Sequence, residues 1–275
     1  MNKITPKIAA PADHPAQAKN PVLVIRKGRG RLGGSTVLDL MIQRARQYGR
    51  RAQPLDGDLR SGTLAALYPA VTPKGEPIQD GASRPPTEEL PAMKAWLMSA
   101  LDDMALDRIS RALDLGGGDR VVQEFVRDMP LGSYCADFGI DLLSVYMLGP
   151  DPEDFRHVIE LVRASDMKAE RALLVMNEGV IRQGQSVDGV FDPILHSPDM
   201  KALVKDGVHA VYLRRLTCMH LIREHGFGFY EAAYGEWDRN SGRPRPSPTL
   251  QHMTKIWLKQ NEEQHTINGT AEWLP

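Results

Sequence analysis

The residues from Lys27 to Thr36 have the types and spacing to hold an anion. Gly28, Gly30, Gly33 and Gly34 are interleaved with Arg29, Arg31 and Leu32, and Ser35 and Thr36 follow directly. Glycine lets a backbone turn tightly and bring its N–H groups close to a ligand. Two spacings overlap here. Gly28, Gly30 and Gly33 fit G-x-G-x-x-G, the dinucleotide turn. Gly28, Gly33 and Ser35 fit most of G-x-x-x-x-G-K-[ST], the phosphate loop, with Gly34 where the lysine belongs. A plain glycine turn that binds nothing is the alternative to both. Further along, Asp56 and Asp58, Asp114, Gly116 to Asp119, and Asn177 are the other candidates for chemistry.

The elements that must position these residues can be read from the pattern. Val22 to Ile25 is a short apolar strand before the loop, and Val37, Leu38, Met41, Ala45 and Tyr48 recur at helical spacing after it. Gly49 stands where a C-terminal cap belongs. Strand, loop and helix N-terminus in this order favour phosphate, because the loop N–H groups and the positive end of the helix act together. Arg51 to Leu55 reads as a poor strand that delivers Asp56 and Asp58 to the same edge. Pro69 to Pro91 reads as an exposed loop. Strands are expected at Ile109 to Leu115, Leu142 to Leu148, Ala172 to Met176 and Ala210 to Leu213. Helices are expected around Leu90 to Met104, Val122 to Met129, Asp151 to about Ser165, after Ser197, and over Thr217 to Tyr234. Strands that alternate with helices and are continuously apolar imply a mostly parallel α/β sheet covered by helices on both faces. Ligands bind beyond the carboxyl ends of such strands, which is where the candidates fall.

The 275 residues suffice for a large core, and a net charge of −1 gives no general attraction to nucleic acid. Positive charge is concentrated at Arg26, Lys27, Arg29, Arg31, Arg44, Arg46, Arg50 and Arg51, and such a cluster around the loop could serve phosphate or DNA; the last four read as a solvated helix face. Two separated cysteines, Cys135 and Cys218, suggest buried thiols in a reducing compartment. His220 and His225 lack an acid at ligand spacing, so zinc is not expected. The first 20 residues lack the apolar stretch of a secretory leader, and no run is long enough to span a membrane. A cytoplasmic protein is expected, with a flexible arm over 1–20, an α/β domain over 21–235, and a linker and helix over 236–275. The linker includes Ser241 to Pro248, and the helix carries Leu250, Met253, Ile256 and Trp257 on one face.

Lys27-Gly28 through Ser35-Thr36 resembles the deviant Walker A loop of the ParA/MinD family of partition and positioning ATPases. Asp56 to Leu64, Ala112 to Asp119 and Ala172 to Gly179 resemble the family's later motifs in the same order, so the resemblance covers roughly 21–235. The nearest flavour is the ParA-like proteins of mobile plasmids, in partition, stability or conjugative transfer. The resemblance implies ATP or ADP with Mg²⁺. Ser35 would ligand the metal through its hydroxyl, Asp114 would hold it through water, and Asp58, or in its place Asp56, would position water or metal. Gly28, Gly30, Gly33, Gly34, Ser35 and Thr36 would hold phosphates, and Asn177 the adenine edge. Lys27 would be the signature lysine reaching across a nucleotide-dependent homodimer. A small plasmid-encoded partner and non-specific DNA are also implied, with Arg214, Arg215, Arg223, Arg243 and Arg245 as DNA candidates.

The departure is Gly34. Without a lysine to neutralise the β- and γ-phosphates, hydrolysis is expected to be slow or absent. Arg29 or Arg31 could supply the charge, since guanidinium binds phosphate well. Two other readings compete. One is a degenerate, non-catalytic scaffold that binds a partner or DNA. The other is an NAD(P)-binding oxidoreductase that would use Gly28, Gly30 and Gly33 with Asp56 or Asp58 on the ribose, but no hydride-transfer site is visible for it.

Overall fold

The computed structural model describes residues 19–116, 119–164, 171–182, 184–235, 242 and 244–275; for Asp119, Arg120 and Ala164 it describes the backbone alone. The expected arm up to residue 18, Gly117, Gly118, Ser165, Ser241 and Arg243 lie outside the described residues.

Six strands form one sheet: β1 (Val22–Lys27), β2 (Ala52–Asp56), β3 (Ser110–Asp114), β4 (Asp141–Leu148), β5 (Arg171–Asn177) and β6 (Val208–Leu213). Their order is β2-β3-β1-β4-β5-β6, and every pairing is parallel. The chain leaves β1 to one side and β4 to the other, so a crevice opens at the carboxyl ends of the central strands.

Helices cover both faces, as the alternation implied. On one face, α1 (Gly34–Gln47) buries Val37, Leu38, Met41 and Ile42 against Val22 and Val24. On the other, α3 (Leu90–Asp107), which follows the short α2 (Thr63–Leu67), sets Met93, Trp96 and Leu97 against Leu23 and Ile25. The alternation of Val22 and Val24 with Leu23 and Ile25 sends successive side chains to opposite cores, as a strand buried on both sides requires. Helices α4 (Asp119–Asp128) and α5 (Leu131–Asp137) extend the second layer with Phe125 and Leu131. Beside β4 and β5, α6 (Pro152–Ala164), α7 (Asp192–Leu195) and α8 (Pro198–Lys205) bury Phe155, Ile194 and Met200. The chain ends with α9 (Met219–Glu224), α10 (Phe229–Tyr234) and α11 (Pro248–Ile267), whose Ile222, Phe229 and Trp257 join the core of α1. Cys135 and Cys218 are both buried thiols. No helix among the described residues is long and apolar enough to cross a membrane.

Four details depart from the expected pattern. First, β1 does not stop at Ile25; it runs on through Arg26 and Lys27, because β4 pairs with it as far as Tyr146. Second, the single helix expected over Thr217 to Tyr234 is two, because Gly226 turns left-handed at φ 65° and ends α9. Third, the Pro69 to Pro91 segment is not all exposed. Ser83 donates its N–H to Pro54 O at 3.0 Å, and Ser83 O accepts from Asp56 N–H at 2.9 Å. That lays the segment along the outer edge of β2, where Pro54 costs no ladder bond. Fourth, Arg44 is not on a solvated face. Its side chain is 9% exposed and makes two bonds to Glu262 of α11, at 2.8 and 2.6 Å. Arg46 lies over the Tyr68 ring and reaches Asp80 O, Arg50 reaches Leu274 O, and Arg51 pairs with Asp80.

The opposite edge of the sheet is closed by a side chain. Gln264 of α11 accepts from Tyr212 N–H at 2.7 Å through Oε1 and donates to Tyr212 O at 3.1 Å through Nε2. Trp257 Nε1 donates to Arg214 O at 2.7 Å just beyond β6.

His265 lies beside this contact, with Nδ1 2.9 Å from Thr270 Oγ1. Burial and then the Arg44 charge push its pKa down to about 4, against some opposition from Glu262. A base whose folded pKa is depressed is charged in the unfolded chain first, so the unfolded state binds more protons between the two values. Stability from this group is therefore full above about pH 6.5 and falls as pH drops towards about 4. Urea midpoints measured from pH 7 to 5 should decline, and His265→Asn should flatten that decline. Equal slopes for both proteins would show that His265 plays no part.

Candidate functional site

The loop between β1 and α1 owes its shape to glycines at defined places. Gly28 and Gly33 have φ of 111° and 80°, and Arg31 between them also sits at φ 65°. A Cβ on Gly28 would stand 3.1 Å from Met147 O of β4, and one on Gly33 would collide with the Asn177 amide. Gly30 has open space around it. Gly34 is the first residue of α1, and here a side chain, not the backbone, demands glycine: a Cβ would collide with Arg26 Nε and stand 2.8 Å from its Cγ and Cδ. Gly33 is the N-cap, makes no side-chain cap bond, and leaves no acid in the first turn of α1. The first N–H groups of a helix lack intrahelical acceptors, so this end of α1 is electropositive. Thr36 N–H and Val37 N–H already close on Gly33 O, at 3.1 and 3.2 Å.

Three acids meet the loop at neighbouring strand ends. Ser35 Oγ donates to Asp114 Oδ2 at 2.5 Å, and Asp114 Oδ1 accepts from Gly116 N–H at 2.9 Å. This joins the start of α1 to the end of β3. Gly57 N–H donates to Asp114 O at 2.8 Å, which draws the end of β2 to the same place. Asp58 faces Gly116 closely enough that a Cβ there would lie 2.7 Å from its Oδ2. Asp58 Oδ1 accepts from Arg60 and Ser61 N–H at 3.1 and 3.0 Å. Asp56 is spent on structure: Oδ2 takes Ala65 N–H of α2 at 2.7 Å and Oδ1 takes Asp58 N–H at 3.2 Å. Burial raises the Asp56 pKa above the usual carboxylate range, the Asp114 charge adds to this, and the two N–H bonds oppose it.

On the β5 side, Asn177 is 3% exposed. Its Nδ2 donates to Leu32 O at 2.8 Å, and its Oδ1 accepts from Gly179 N–H at 2.8 Å. One amide thus ties the loop to the end of β5. Beside it lies a cleft of ≈ 670 Å³ whose walls include Arg31, Thr36, Asn177, Arg215 and His220. Arg214 pairs with Glu178, and Arg215 donates to Glu178 O and Ile181 O. Arg223 pairs with Asp39 at 2.8 Å. These three side chains thus hold the fold together and offer little free charge to DNA.

The structure therefore brings Gly28, Gly33, Gly34, Ser35, Thr36, Asp58, Asp114 and Asn177 to one crevice. Lys27 ends β1, directly before Gly28. It is 6% exposed, on β1, with its ammonium 5.3 Å from the centre of the Tyr146 ring. Arg29, half exposed, pairs with Asp154 at 3.1 Å. Arg26, which the sequence offers only as one of eight cations around the loop, is singled out by its surroundings. Its guanidinium is buried at the start of α1 with Nη2 on Arg29 O, and Nε and Nη1 have no hydrogen-bond partner. The signal that could have found it is a charged residue directly after four apolar ones in a strand that must be buried on both faces.

The sequence matches no protein-family model and no curated protein. Solved structures are similar at low identity. MinD from Aquifex aeolicus is 11% identical, with 87% of this chain and 96% of that chain covered and a TM-score of 0.46. An Archaeoglobus fulgidus nucleotide-binding protein in complex with ADP is 16% identical, with 74% and 86% covered and a TM-score of 0.44. Chloroplast FtsY from Physcomitrella patens is 12% identical, with a TM-score of 0.39; 58% of this chain is covered, and the chain spans 50% of FtsY.

The Asn177 tie should be measurable. Asn177→Leu keeps the volume but strands Leu32 O and Gly179 N–H. Leaving buried polar groups unpaired costs about 1–3 kcal/mol. Urea denaturation should show a loss of that size, and a change below about 0.5 kcal/mol would mean that the tie contributes nothing.

Proposed function

We propose that this chain binds ATP or ADP with Mg²⁺ in the crevice at the start of α1 and works as a nucleotide-controlled switch with weak or absent turnover. The observation that carries this reading is the 2.5 Å bond from Ser35 Oγ to Asp114 Oδ2, at a helix start without an acidic cap. A hydroxyl and a carboxylate held together beside electropositive N–H groups suit a phosphate-bound hard cation. Mg²⁺ keeps several waters and leans on substrate phosphates, taking only one or two protein carboxylates. The donors fit that habit. They are oxygens, and no cluster of three or more His, Cys, Asp or Glu suited to a metal occurs among the described residues.

In this reading, Ser35 contacts the metal and Asp114 holds it through water. Asp58 orients water beside them. Gly28, Gly30, Gly33 and Gly34 keep the backbone open to phosphates, and Thr36 stands at the cleft. Bound Mg²⁺ supplies positive charge that screens the phosphates from each other. Asn177 shapes the base end of the cleft, and its tie to Leu32 gives it a loop-holding role as well. Lys27 takes part only if the end of β1 rearranges. In the oxidoreductase reading only Asp58 remains for the ribose, because Asp56 is committed to two backbone N–H groups, and no hydride-transfer site accompanies it. The scaffold reading keeps one observation in its favour, the glycine at position 34. A nucleotide-dependent homodimer, a plasmid-encoded partner, non-specific DNA and a role in partition or conjugative transfer rest on the order of the motifs along the chain.

Calorimetry on the full chain with MgATP, MgADP and NADH tests this. MgADP should bind, and EDTA should weaken it. Asp114→Asn should lower the Mg²⁺-dependent affinity by roughly tenfold or more, since contacts to charged groups contribute about 1.5–3 kcal/mol. Tight NADH binding without an adenine-nucleotide signal would restore the oxidoreductase reading. No signal from any of the three would leave the scaffold.

A further inference from the structure

We infer that Arg26 is a phosphate-binding residue, and that it supplies from strand β1 the positive charge that a phosphate loop ordinarily takes from the lysine at the position of Gly34. The inference rests on the nucleotide reading above and names the cation that reading lacks.

The first support is burial without compensation. Arg26 is 4% exposed, and among the described residues it makes no ion pair. Of its three guanidinium nitrogens, one donates to the loop carbonyl of Arg29, while Nε and Nη1 are buried with no acceptor. A guanidinium stays charged at any ordinary pH, so it cannot escape the cost of burial by losing its proton. Buried charges are held where something pairs with them. The surroundings make the demand greater, since the guanidinium lies against the N-terminus of α1, which is itself electropositive and carries no acid in its first turn. The acid held at that helix start, Asp114, is bound to Ser35 Oγ and Gly116 N–H, so Arg26 Nε and Nη1 still call for an acceptor. A phosphate group fits, because its oxygens accept from guanidinium and from helix N–H groups together.

The second support is steric. Side-chain atoms close to the Arg26 backbone, Cγ and Cδ, would stand 2.8 Å from a Cβ at Gly34. These atoms cannot swing aside as a side-chain tip can. Arg26 and Gly34 are therefore one device. The cation has moved from the helix to the strand, and glycine at the vacated position lets the guanidinium lie against the helix start. Arg29 and Arg31 are less suited. Arg29 is paired with Asp154, and Arg31 lines the neighbouring cleft.

The test uses the full chain with MgADP and, separately, inorganic pyrophosphate, read by calorimetry and by thermal shift. Arg26→Val should lower affinity for both by roughly ten- to a hundredfold. Without ligand it should melt no lower than the native chain, because it removes a buried guanidinium with two nitrogens that have no acceptor. Gly34→Lys alone should also lose binding, since the lysine collides with Arg26. Arg26→Val combined with Gly34→Lys should recover binding above either single variant, because the cation returns by the usual route. Native-like affinity in Arg26→Val would overturn the inference and leave the nucleotide reading intact. Loss of binding in Arg26→Val with a lowered melting temperature and no recovery in the double variant would also overturn it, in favour of a loop-supporting role. If the native chain binds neither probe, the nucleotide reading fails and this inference with it.

Discussion

A strand in the middle of a parallel sheet has no water on either face, yet β1 carries two cations in succession. That constraint shapes the centre of the molecule. Arg26 and Lys27 must point to opposite sides, and each side meets the problem differently. Lys27 sets its ammonium over the electron-rich face of Tyr146, which comes from β4 at the same register. Arg26 turns beneath the glycine loop and is left with two open nitrogens. The loop can accept a guanidinium there because Gly34 has no side chain, and α1 begins directly after Gly33, which turns left-handed.

The three acids around the same crevice divide their work by what already holds them. Asp56 secures the start of α2 and the turn after β2. Asp114 bridges α1 to β3 through Ser35 and keeps its other oxygen on Gly116. Asp58 uses only one oxygen on its own turn, leaving Oδ2 directed towards Gly116. Asp56, with both oxygens on backbone N–H groups, is thus a fixed structural element, whereas Asp58 keeps one oxygen off its own turn.

Much of this was legible in the sequence. The parallel sheet follows from apolar strands alternating with helices, and the glycine loop announces itself by spacing. What was hidden involves side chains that act against type. Arg26 looks like a loop residue because strand interiors seldom hold arginine, and only the pairing of β1 with β4 shows that it lies inside. Arg44 looks like a surface cation because its partner, Glu262, is far away in sequence. The Pro69 to Pro91 segment looks like a pure loop because Ser83 meets β2 by backbone bonds, which leave no trace in composition. Gly226 is a helix stop whose meaning depends on Phe227 packing inward after it.

The amide of Gln264 has an effect beyond its own two bonds. By offering one acceptor and one donor to Tyr212, it imitates a residue of a seventh strand. The far side of β2 meets a matching stopper at Ser83. Exposed strand borders invite other chains to add themselves, which is a common route to aggregation. At these two places the sheet ends on contacts from its own chain, so growth by strand addition is blocked there. Further strands are thus turned away at both borders, by a side-chain amide on one side and by backbone groups on the other.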